Sequence, residues 1–393
     1  MTVFSALSCA TCPLSGAHLS FQLLEAARFV LGAQTISDKG VGLVTDGFVS
    51  AEEALRRVRA SQPNNRFPGR KDPRTRSGLL FPGVTPSFKI TAGEKVFTVG
   101  SCFARNAEEY LTQFEVPTLD FAVPVSEFPG RANGLLNEYT PTAIARRLQW
   151  CLDGFDSTGF GDTLVGSPDR CVDLCLATGM PVTHRRALER RREVDALYRS
   201  LLSSDVLILT LGYIETWFDS LTQVYLSRHP PPQLMRREPD RFVFRQLDQS
   251  TCLGQLEPVM DRLMEVGPGR VIVTVSPVPL QTTFSGMDCV TANGLSKSTL
   301  LCVAHALARR YPGRVDYFPS YDIVMSGGRR SFWFDQVHVR SSVVRRIVRE
   351  LCVTYGVDPA AQHLRSPTRM RWDAALRVVE RYKLRRHARD RGA

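Results

Sequence analysis

The sequence lacks the apolar run of about 18 residues that a membrane-spanning helix needs, so we expect no membrane span. Residues 1–4 carry no basic side chain ahead of an apolar stretch, and we therefore expect no secretory signal and a cytoplasmic location. Internal repeats and a glycine-rich phosphate-binding loop are also missing. The ten cysteines are scattered along 393 residues, as in proteins whose thiols stay reduced.

Two cysteine pairs are the candidates for a metal site. Cys9 and Cys12 lie near the N-terminus, and Cys171 and Cys175 lie far along the chain with a different spacing. A structural zinc site usually combines two ligand pairs at matched short spacings. We therefore take both pairs to be structural or incidental and expect no metal and no bound cofactor.

The formal net charge of +11 makes nucleic-acid binding one hypothesis, so the location of the charge matters. Residues 365–393 contain ten basic and three acidic residues, a net charge of +7. Apolar residues recur there at near-helical spacing, which predicts a basic amphipathic helix. No nucleic-acid-binding signature accompanies this tail or the basic stretch 184–192, which is predicted to be a solvated helix face. We expect the tail to dock on an acidic protein partner or on its own domain, and nucleic acid to be no partner.

Residues 100–104, Gly-Ser-Cys-Phe-Ala, are the main candidate for a reactive centre. They follow the apolar run 96–99 and precede a helix-like segment, residues 105–114. A strand that turns sharply into a helix exposes a side chain where backbone N–H groups favour a developing negative charge. A hydroxyl or thiol nucleophile is commonly placed there. An ordinary turn with a helix cap gives the same pattern.

A second pattern, Asp335 followed three residues later by His338, stands ahead of an amphipathic segment at residues 341–355. The carboxylate can fix the imidazole tautomer, which leaves the other ring nitrogen free to act as a base. A local backbone cap and a surface histidine would explain the pair taken alone. The chain order of nucleophile, Asp and His favours catalysis.

These two patterns resemble the GSCFA family, which is similar to the SGNH (GDSL-like) esterase superfamily. Further matching segments occur in the expected order between residues 85 and 355: Phe88-Lys89-Ile90-Thr91, Thr210-Leu211-Gly212, Thr274-Val275-Ser276-Pro277-Val278, Ser296-Lys297-Ser298 and Tyr317-Phe318-Pro319-Ser320-Tyr321. The resemblance implies an α/β fold of the three-layer α/β/α, flavodoxin-like kind, with a parallel sheet and helical N-terminal and C-terminal extensions. It also implies acyl-transfer chemistry.

The resemblance leaves two candidate nucleophiles. The first block of the superfamily is Gly-Asp-Ser, and an ungapped alignment puts Cys102 at the attacking position and Ser101 at the position of the Asp. A thiol next to a histidine has a lowered pKa and is a good nucleophile. We expect Cys102 to attack, with Ser101 as the alternative, and Asp335 and His338 to complete the site.

The other superfamily blocks match incompletely. Gly134 is the candidate backbone donor to the oxyanion, and Asn137 is the candidate side-chain donor. The third block usually carries an Asn two residues after its Gly, but here Ile214 follows Gly212 at that distance. We expect the Gly212 loop to reach the site and Glu215 to contact substrate or to cap a helix. The missing Asn favours transfer to a bound acceptor over simple hydrolysis.

The pattern of elements divides the chain into an N-terminal helical extension and linker (1–85), the catalytic domain (86–356) and the basic tail (357–393). Residues 220–248 are expected to be irregular, as a lid, a substrate-facing insertion or a surface loop. Alternating strands and helices predict a parallel sheet whose strand ends carry the ligand site. The strands are predicted at 96–100, 205–211, 270–276 and 314–318, and the helices at 18–31, 51–59, 102–114, 141–152, 184–203, 254–266, 293–310 and 341–354.

The sequence thus predicts an esterase or acyltransferase that forms a covalent acyl-enzyme from an ester or thioester. A carbohydrate or a small biosynthetic intermediate is the expected acceptor, and the basic surface would suit acyl-CoA as a co-substrate. The alternative is a non-catalytic binding or assembly protein on the same scaffold.

Overall fold

The computed structural model describes residues 49–364 except residues 63, 70, 160, 359 and 362. The chain divides into two units between Arg66 and Phe67. In the first unit, helix α1 (Ala51–Ala60) begins where the side chain of Ser50 accepts a hydrogen bond from a first-turn N–H, which confirms the helix predicted at 51–59. The predicted helix at 18–31, the pair Cys9 and Cys12, and the basic tail lie outside the described residues, and the domain bounds stay predictions.

The second unit alternates strands with helices, as the pattern predicts. Its strands are β1 (Thr75–Arg76), β2 (Leu79–Leu80), β3 (Val96–Gly100), β4 (Leu164–Ser167), β5 (Arg170–Asp173), β6 (Val206–Leu211), β7 (Glu215–Asp219), β8 (Val224–Leu226), β9 (Phe242–Gln246), β10 (Arg270–Val275) and β11 (Val315–Tyr317). Its helices are α2 (Cys102–Glu108), α3 (Pro117–Asp120), α4 (Pro141–Leu152), α5 (His184–Arg199), α6 (Pro232–Arg237), α7 (Gln249–Val266), α8 (Cys289–Arg310), α9 (Ser320–Ser326) and α10 (Ser341–Thr354).

A four-stranded parallel sheet in the order β11-β10-β6-β3 forms the centre of this unit. Gly100 pairs with Thr210 across β3 and β6, and Leu211 pairs with Val275 across β6 and β10. The carboxyl ends of these three strands therefore meet at one edge of the sheet. The four predicted strands and the α/β fold are confirmed.

Helices cover both faces of the sheet because alternate strand residues point to opposite sides. On β6, Leu207 and Leu209 pack in a core with residues of α4, α5, α7 and α8. Val206 and Ile208, which point the other way, pack with residues of α2, α9 and α10. This arrangement confirms the three layers. Among the described residues, no helix combines the length and apolar character needed to cross a bilayer.

Residues 220–248 are ordered as strands and a short helix, so the prediction of an irregular segment is wrong. Strands β8 and β9 flank β7 in an antiparallel sheet. Leu226, Leu234 and Phe242 are buried in a small core with residues of the β4–β5 hairpin. The prolines and arginines of residues 220–248 obscure the alternating pattern of these strands in the sequence. We call residues 220–248 the insertion, and it projects beyond the carboxyl end of β6.

The basic stretch 184–192 is likewise not simply a solvated face. Arg190 and Arg191 are buried, with their guanidinium groups paired to Glu127 and Asp173 at 2.5 and 2.7 Å. A run of like charges indicates solvent exposure only when no acid from another element can cover it. Here Glu127 and Asp173, which are more than a dozen residues away in sequence, pair with the arginines, and residues 184–192 alone do not reveal these acids.

Candidate active site

The turn after β3 requires glycine at position 100. The φ angle of Gly100 is +138°, and a Cβ atom there would lie 2.2 Å from the carbonyl oxygen of Thr210. This close approach to β6 places Ser101 and Cys102 at the sheet edge where the strands end. Helix α2 then runs only to Glu108, shorter than the predicted 102–114, because the backbone turns before residue 114.

The two candidate nucleophiles have different surroundings. Ser101 is 1% exposed, and its Oγ atom accepts a hydrogen bond at 3.3 Å from the backbone N–H of Phe103. Its hydroxyl therefore caps α2. Cys102, the first residue of the helix, is half-buried and faces a cavity. The geometry favours Cys102.

A cavity of about 330 Å³ lies against Cys102 at the carboxyl ends of the parallel strands. We call it the Cys102 cavity. One wall comes from loops of the parallel sheet, and the other comes from β7, the end of β8 and the residues that follow β8. Its aromatic and polar lining includes Tyr139, Tyr213, Glu215, Trp217, Arg228, His229 and Phe284.

The Tyr139 hydroxyl acts on the Cys102 thiol and lowers its pKa. Its phenol oxygen accepts a hydrogen bond from Asn137 Nδ2 at 3.2 Å, so its own O–H is free to donate to sulfur. Burial raises the pKa of Tyr139 well above its usual value, which keeps the phenol protonated. Burial also raises the pKa of the Cys102 thiol, while the charge of Lys297 and the Tyr139 hydroxyl oppose that rise.

Lys297 lies beneath this site and is 1% exposed. Its Nζ atom donates to the carbonyl oxygens of Gly212 at 2.6 Å and Val278 at 2.8 Å. Burial lowers the pKa of its ammonium group to about 7, and the charge of Cys102 opposes that shift. The sequence analysis did not assign Lys297 a role. Lys297 precedes Leu300 by three residues and Leu307 by ten, which puts it on the apolar face of α8. A lysine on the apolar face of a helix is the signal by which the sequence could have identified it.

Asp335 and His338 form the predicted pair, with 2.6 Å between Asp335 Oδ2 and His338 Nδ1. The same carboxylate accepts hydrogen bonds from the backbone N–H groups of Val337 and His338, each at 3.0 Å. The hydrogen bond from His338, followed by the two backbone hydrogen bonds, lowers the pKa of Asp335 to about 2. The two side chains remain 47% and 53% exposed.

The pair does not line the Cys102 cavity. It lines a second cavity of about 330 Å³ with Tyr110, Arg131 and Trp333, which we call the His338 cavity. No hydrogen bond among the described residues joins His338 to Cys102. Arg131 links the two cavities, since it bonds to Asn106 on α2 and to Glu109 just after α2, and its charge acts on the Cys102 thiol.

The predicted oxyanion and substrate residues divide into two groups. Gly134 and Asn137 do not line the Cys102 cavity. The N–H of Gly134 donates to Arg131 O at 2.9 Å, and the Asn137 amide reaches the site only through Tyr139. Gly212 and Glu215 do line it.

Glu215 is buried and organises the loop that borders the Cys102 cavity. One carboxylate oxygen accepts a hydrogen bond at 3.0 Å from the backbone N–H of Phe284, and the other accepts one from the Thr283 hydroxyl. The residue therefore caps no helix. Ile214, which stands where the superfamily has an Asn, is a buried core residue whose N–H donates to Ser296 Oγ at 3.0 Å.

Comparison with known proteins places this chain in a family. The GSCFA family model matches residues 95–351, more than half of the sequence, and the chain belongs to the GSCFA family. No curated protein matches it. Among solved structures, it is similar to a mutant of an acetyl-xylooligosaccharide esterase from Geobacillus Stearmophilus. The identity is 13%, over 71% of this chain and 100% of that chain, and the TM-score is 0.29, too low to support a conclusion about activity.

Proposed function

We propose that this GSCFA-family protein is an acyl-transfer enzyme in which Cys102 forms a covalent acyl-enzyme from an ester or thioester. The observation that carries the proposal is the setting of the Cys102 thiol. It faces a cavity at the strand ends, and both the Tyr139 hydroxyl and the charge of the buried Lys297 act on the thiol to lower its pKa. A cysteine that merely fills the core needs neither group.

Tyr139 is our candidate for stabilising the oxyanion. Its protonated hydroxyl and the backbone N–H of Cys102 both act on the thiol to lower its pKa, so they are the donors available to the reacting carbonyl. Donors fixed before the reaction stabilise the charge that develops on the carbonyl oxygen. The N–H of Gly134 already bonds within its own turn, so Tyr139 replaces it in our proposal.

His338 is our candidate base for the acceptor. Its Nδ1 is held by Asp335, and Nε2 bonds to no other described residue. Because the pair lines the neighbouring cavity, its position suits deprotonation of an acceptor hydroxyl rather than of the thiol. The acceptor would then attack the thioester carbonyl and release Cys102.

A carbohydrate is the acceptor or acyl-bearing group that the Cys102 cavity suits best. Trp217 and Phe284 form an aromatic wall, with their ring centroids 5.2 Å apart, on which a sugar ring can stack. Glu215, Arg228 and His229 offer polar groups to hydroxyls. The volume lies within the range of small-molecule sites, and acyl-CoA remains the alternative donor to an oxygen ester.

Intact-protein mass spectrometry tests the proposal. Wild type, Cys102→Ala, Ser101→Ala and His338→Ala are each exposed to an activated acetyl ester and, separately, to a panel of acyl-CoA thioesters. We expect one acyl adduct in wild type, its absence in Cys102→Ala and its retention in Ser101→Ala. An adduct that survives in Cys102→Ala and vanishes in Ser101→Ala would make the serine the nucleophile.

A non-catalytic sugar-binding protein is the second candidate. The separation of the Asp335–His338 pair from Cys102 favours it, because a working triad holds nucleophile and base within hydrogen-bond reach. Absence of an adduct in wild type with both donor classes, together with calorimetric binding of an acetylated xylo-oligosaccharide, would replace the first proposal by this one.

A further inference from the structure

Lys297 is buried without a carboxylate partner. Its two acceptors are backbone carbonyl oxygens, those of Gly212 and Val278, and both residues line the Cys102 cavity. Within the described part of the chain, no Asp or Glu side chain pairs with it. A buried ammonium that lacks a counter-ion is costly, so burial favours the neutral amine.

The hydrogen-bond count agrees with a neutral amine. An ammonium group has three N–H donors, whereas a neutral amine has two donors and one lone pair. The carbonyl oxygens of Gly212 and Val278 use two donors. A neutral Lys297 therefore has every N–H satisfied and keeps a lone pair that can accept a proton.

Cys102 is the titratable group whose charge acts on Lys297. Tyr139 and Arg131 also act on the thiol, and the thiol acts on Tyr213. The same cavity is also lined by Glu215, Arg228 and His229. Burial raises the pKa values of both phenols, so the phenols stay neutral near pH 7. Arg131 acts on the thiol as a fixed positive charge. Of the groups that act on the Cys102 thiol, Lys297 is thus the one that loses its proton near neutral pH.

We propose that Lys297 is the proton acceptor for the Cys102 thiol, an inference that rests on the acyl-transfer function proposed above. As Sγ forms its bond to the carbonyl carbon, the carbonyl π pair moves to oxygen and the thiol proton moves to Nζ. When the tetrahedral intermediate collapses, the carbon–oxygen or carbon–sulfur bond to the leaving group breaks. The proton on Nζ then goes to that leaving alcohol or thiol, and neutral Lys297 is restored.

The pH dependence of Cys102 alkylation by iodoacetamide tests this inference without any acyl donor. The rate is followed on the Cys102 peptide by mass spectrometry, because the chain has ten cysteines. In wild type, the coupled pair loses its first proton near pH 7, and alkylation should rise through that pH. Lys297→Met keeps the length of the side chain but removes the acceptor. Its alkylation should rise only above the ordinary thiol value of about 8.5, which makes it at least about tenfold slower at neutral pH.

Two further variants complete the design. Lys71→Met removes an exposed lysine and serves as the matched control, which should keep the wild-type profile. His338→Ala tests the other candidate base and should also leave the profile in place. A His338→Ala profile shifted to high pH, or a Lys297→Met profile equal to that of wild type, would overturn the inference. A wild-type step at or above the ordinary thiol pKa would overturn it even if Lys297→Met does not fold.

The test of Lys297 and the test of the acyl-transfer proposal can fail independently of each other. An acyl adduct that forms at an undiminished rate in Lys297→Met would leave the function standing and remove Lys297 from it. Alkylation that rises near pH 7 in wild type only, with no acyl adduct from either donor class, would leave the Lys297–Cys102 pair standing and remove the function.

Discussion

The Cys102 cavity and the His338 cavity have similar volumes but are built in opposite ways. The first lies at the ends of parallel strands, where burial shifts the pKa values of Cys102, Tyr139 and Lys297. The second holds an Asp335–His338 pair that is about half exposed to solvent. A complete set of triad residue types in the chain therefore does not by itself make one site. Burial shifts the pKa values of the groups in the buried cavity, whereas local hydrogen bonds lower the pKa of Asp335 in the exposed one.

The largest effect that separates buried from exposed parts of the molecule is expected from Glu108, the last residue of α2. Glu108 is fully buried and accepts hydrogen bonds at 2.6 Å from Asn133 and Thr118. It also pairs with the buried Arg105 at 3.0 Å. Glu108→Ala would leave the guanidinium buried without its acid, so we expect the free energy of unfolding to fall by about 3–5 kcal/mol in urea titrations.

Asp335→Ala is the matched control, because it breaks an ion pair in the exposed cavity. Exposed pairs contribute little, since water and salt screen them. The urea midpoint of Asp335→Ala should stay close to that of wild type. Equal losses in the two variants would contradict the distinction between a buried and an exposed region.

The sequence predicts the frame of the buried cavity well. The strand that ends at Gly100 and the strand before Gly212 are apolar apart from one threonine each and are buried throughout, which is typical of parallel strands covered on both faces. Glycine at position 100 marks a turn because the close approach to Thr210 leaves no room for a Cβ atom. The local sequence pattern and the steric requirement agree at this turn, so the fold and the position of Cys102 at the edge of the sheet follow from the residues.

Side chains that act across long sequence distances were not predicted. Tyr139 reaches Cys102 from the segment before α4, and Lys297 reaches it from α8. Their contacts depend on how helices pack on the sheet, which no local period encodes. The Asp335-x-x-His338 spacing correctly predicts a local hydrogen-bonded pair, but it does not say which cavity that pair faces.

A smaller but chemically sharper effect is expected at Tyr139. Tyr139→Phe removes the hydroxyl that acts on the Cys102 thiol while it keeps the ring that stacks on Tyr213 with centroids 5.2 Å apart. If that hydroxyl stabilises the oxyanion, the rate of acyl-adduct formation should fall about 100-fold or more. Time-resolved intact-mass measurements with an activated ester give this rate.

Tyr110→Phe is the control for that measurement, because Tyr110 lines the His338 cavity. Its adduct rate should stay within about twofold of wild type, as expected when no donor to the transition state is lost. A loss as large in Tyr110→Phe as in Tyr139→Phe would move the reacting carbonyl toward the second cavity.

The last expected effect, at most roughly 1.4 kcal/mol for each pH unit, is a pH-dependent contribution of Lys297 to stability. An unfolded lysine has a pKa of about 10.4, whereas burial lowers the pKa of Lys297 to about 7 in the folded protein. Between these values the unfolded chain binds more protons, so the free energy of unfolding rises with pH by at most roughly 1.4 kcal/mol per unit. Below about pH 7 both states are protonated and this contribution is constant.

Urea titrations of wild type and Lys297→Met across this pH range measure the contribution as a difference. Other groups are present in both proteins and largely cancel, except the Cys102 thiol, whose titration is coupled to that of Lys297 and also changes in Lys297→Met. The stability of wild type relative to Lys297→Met should increase from about pH 7 upward, and Lys71→Met should run parallel to wild type. Parallel curves for wild type and Lys297→Met would mean that the folded protein keeps Lys297 charged. Lys297 would then act as a fixed counter-ion for a Cys102 thiolate. Burial would no longer set the Cys102 cavity apart from the His338 cavity.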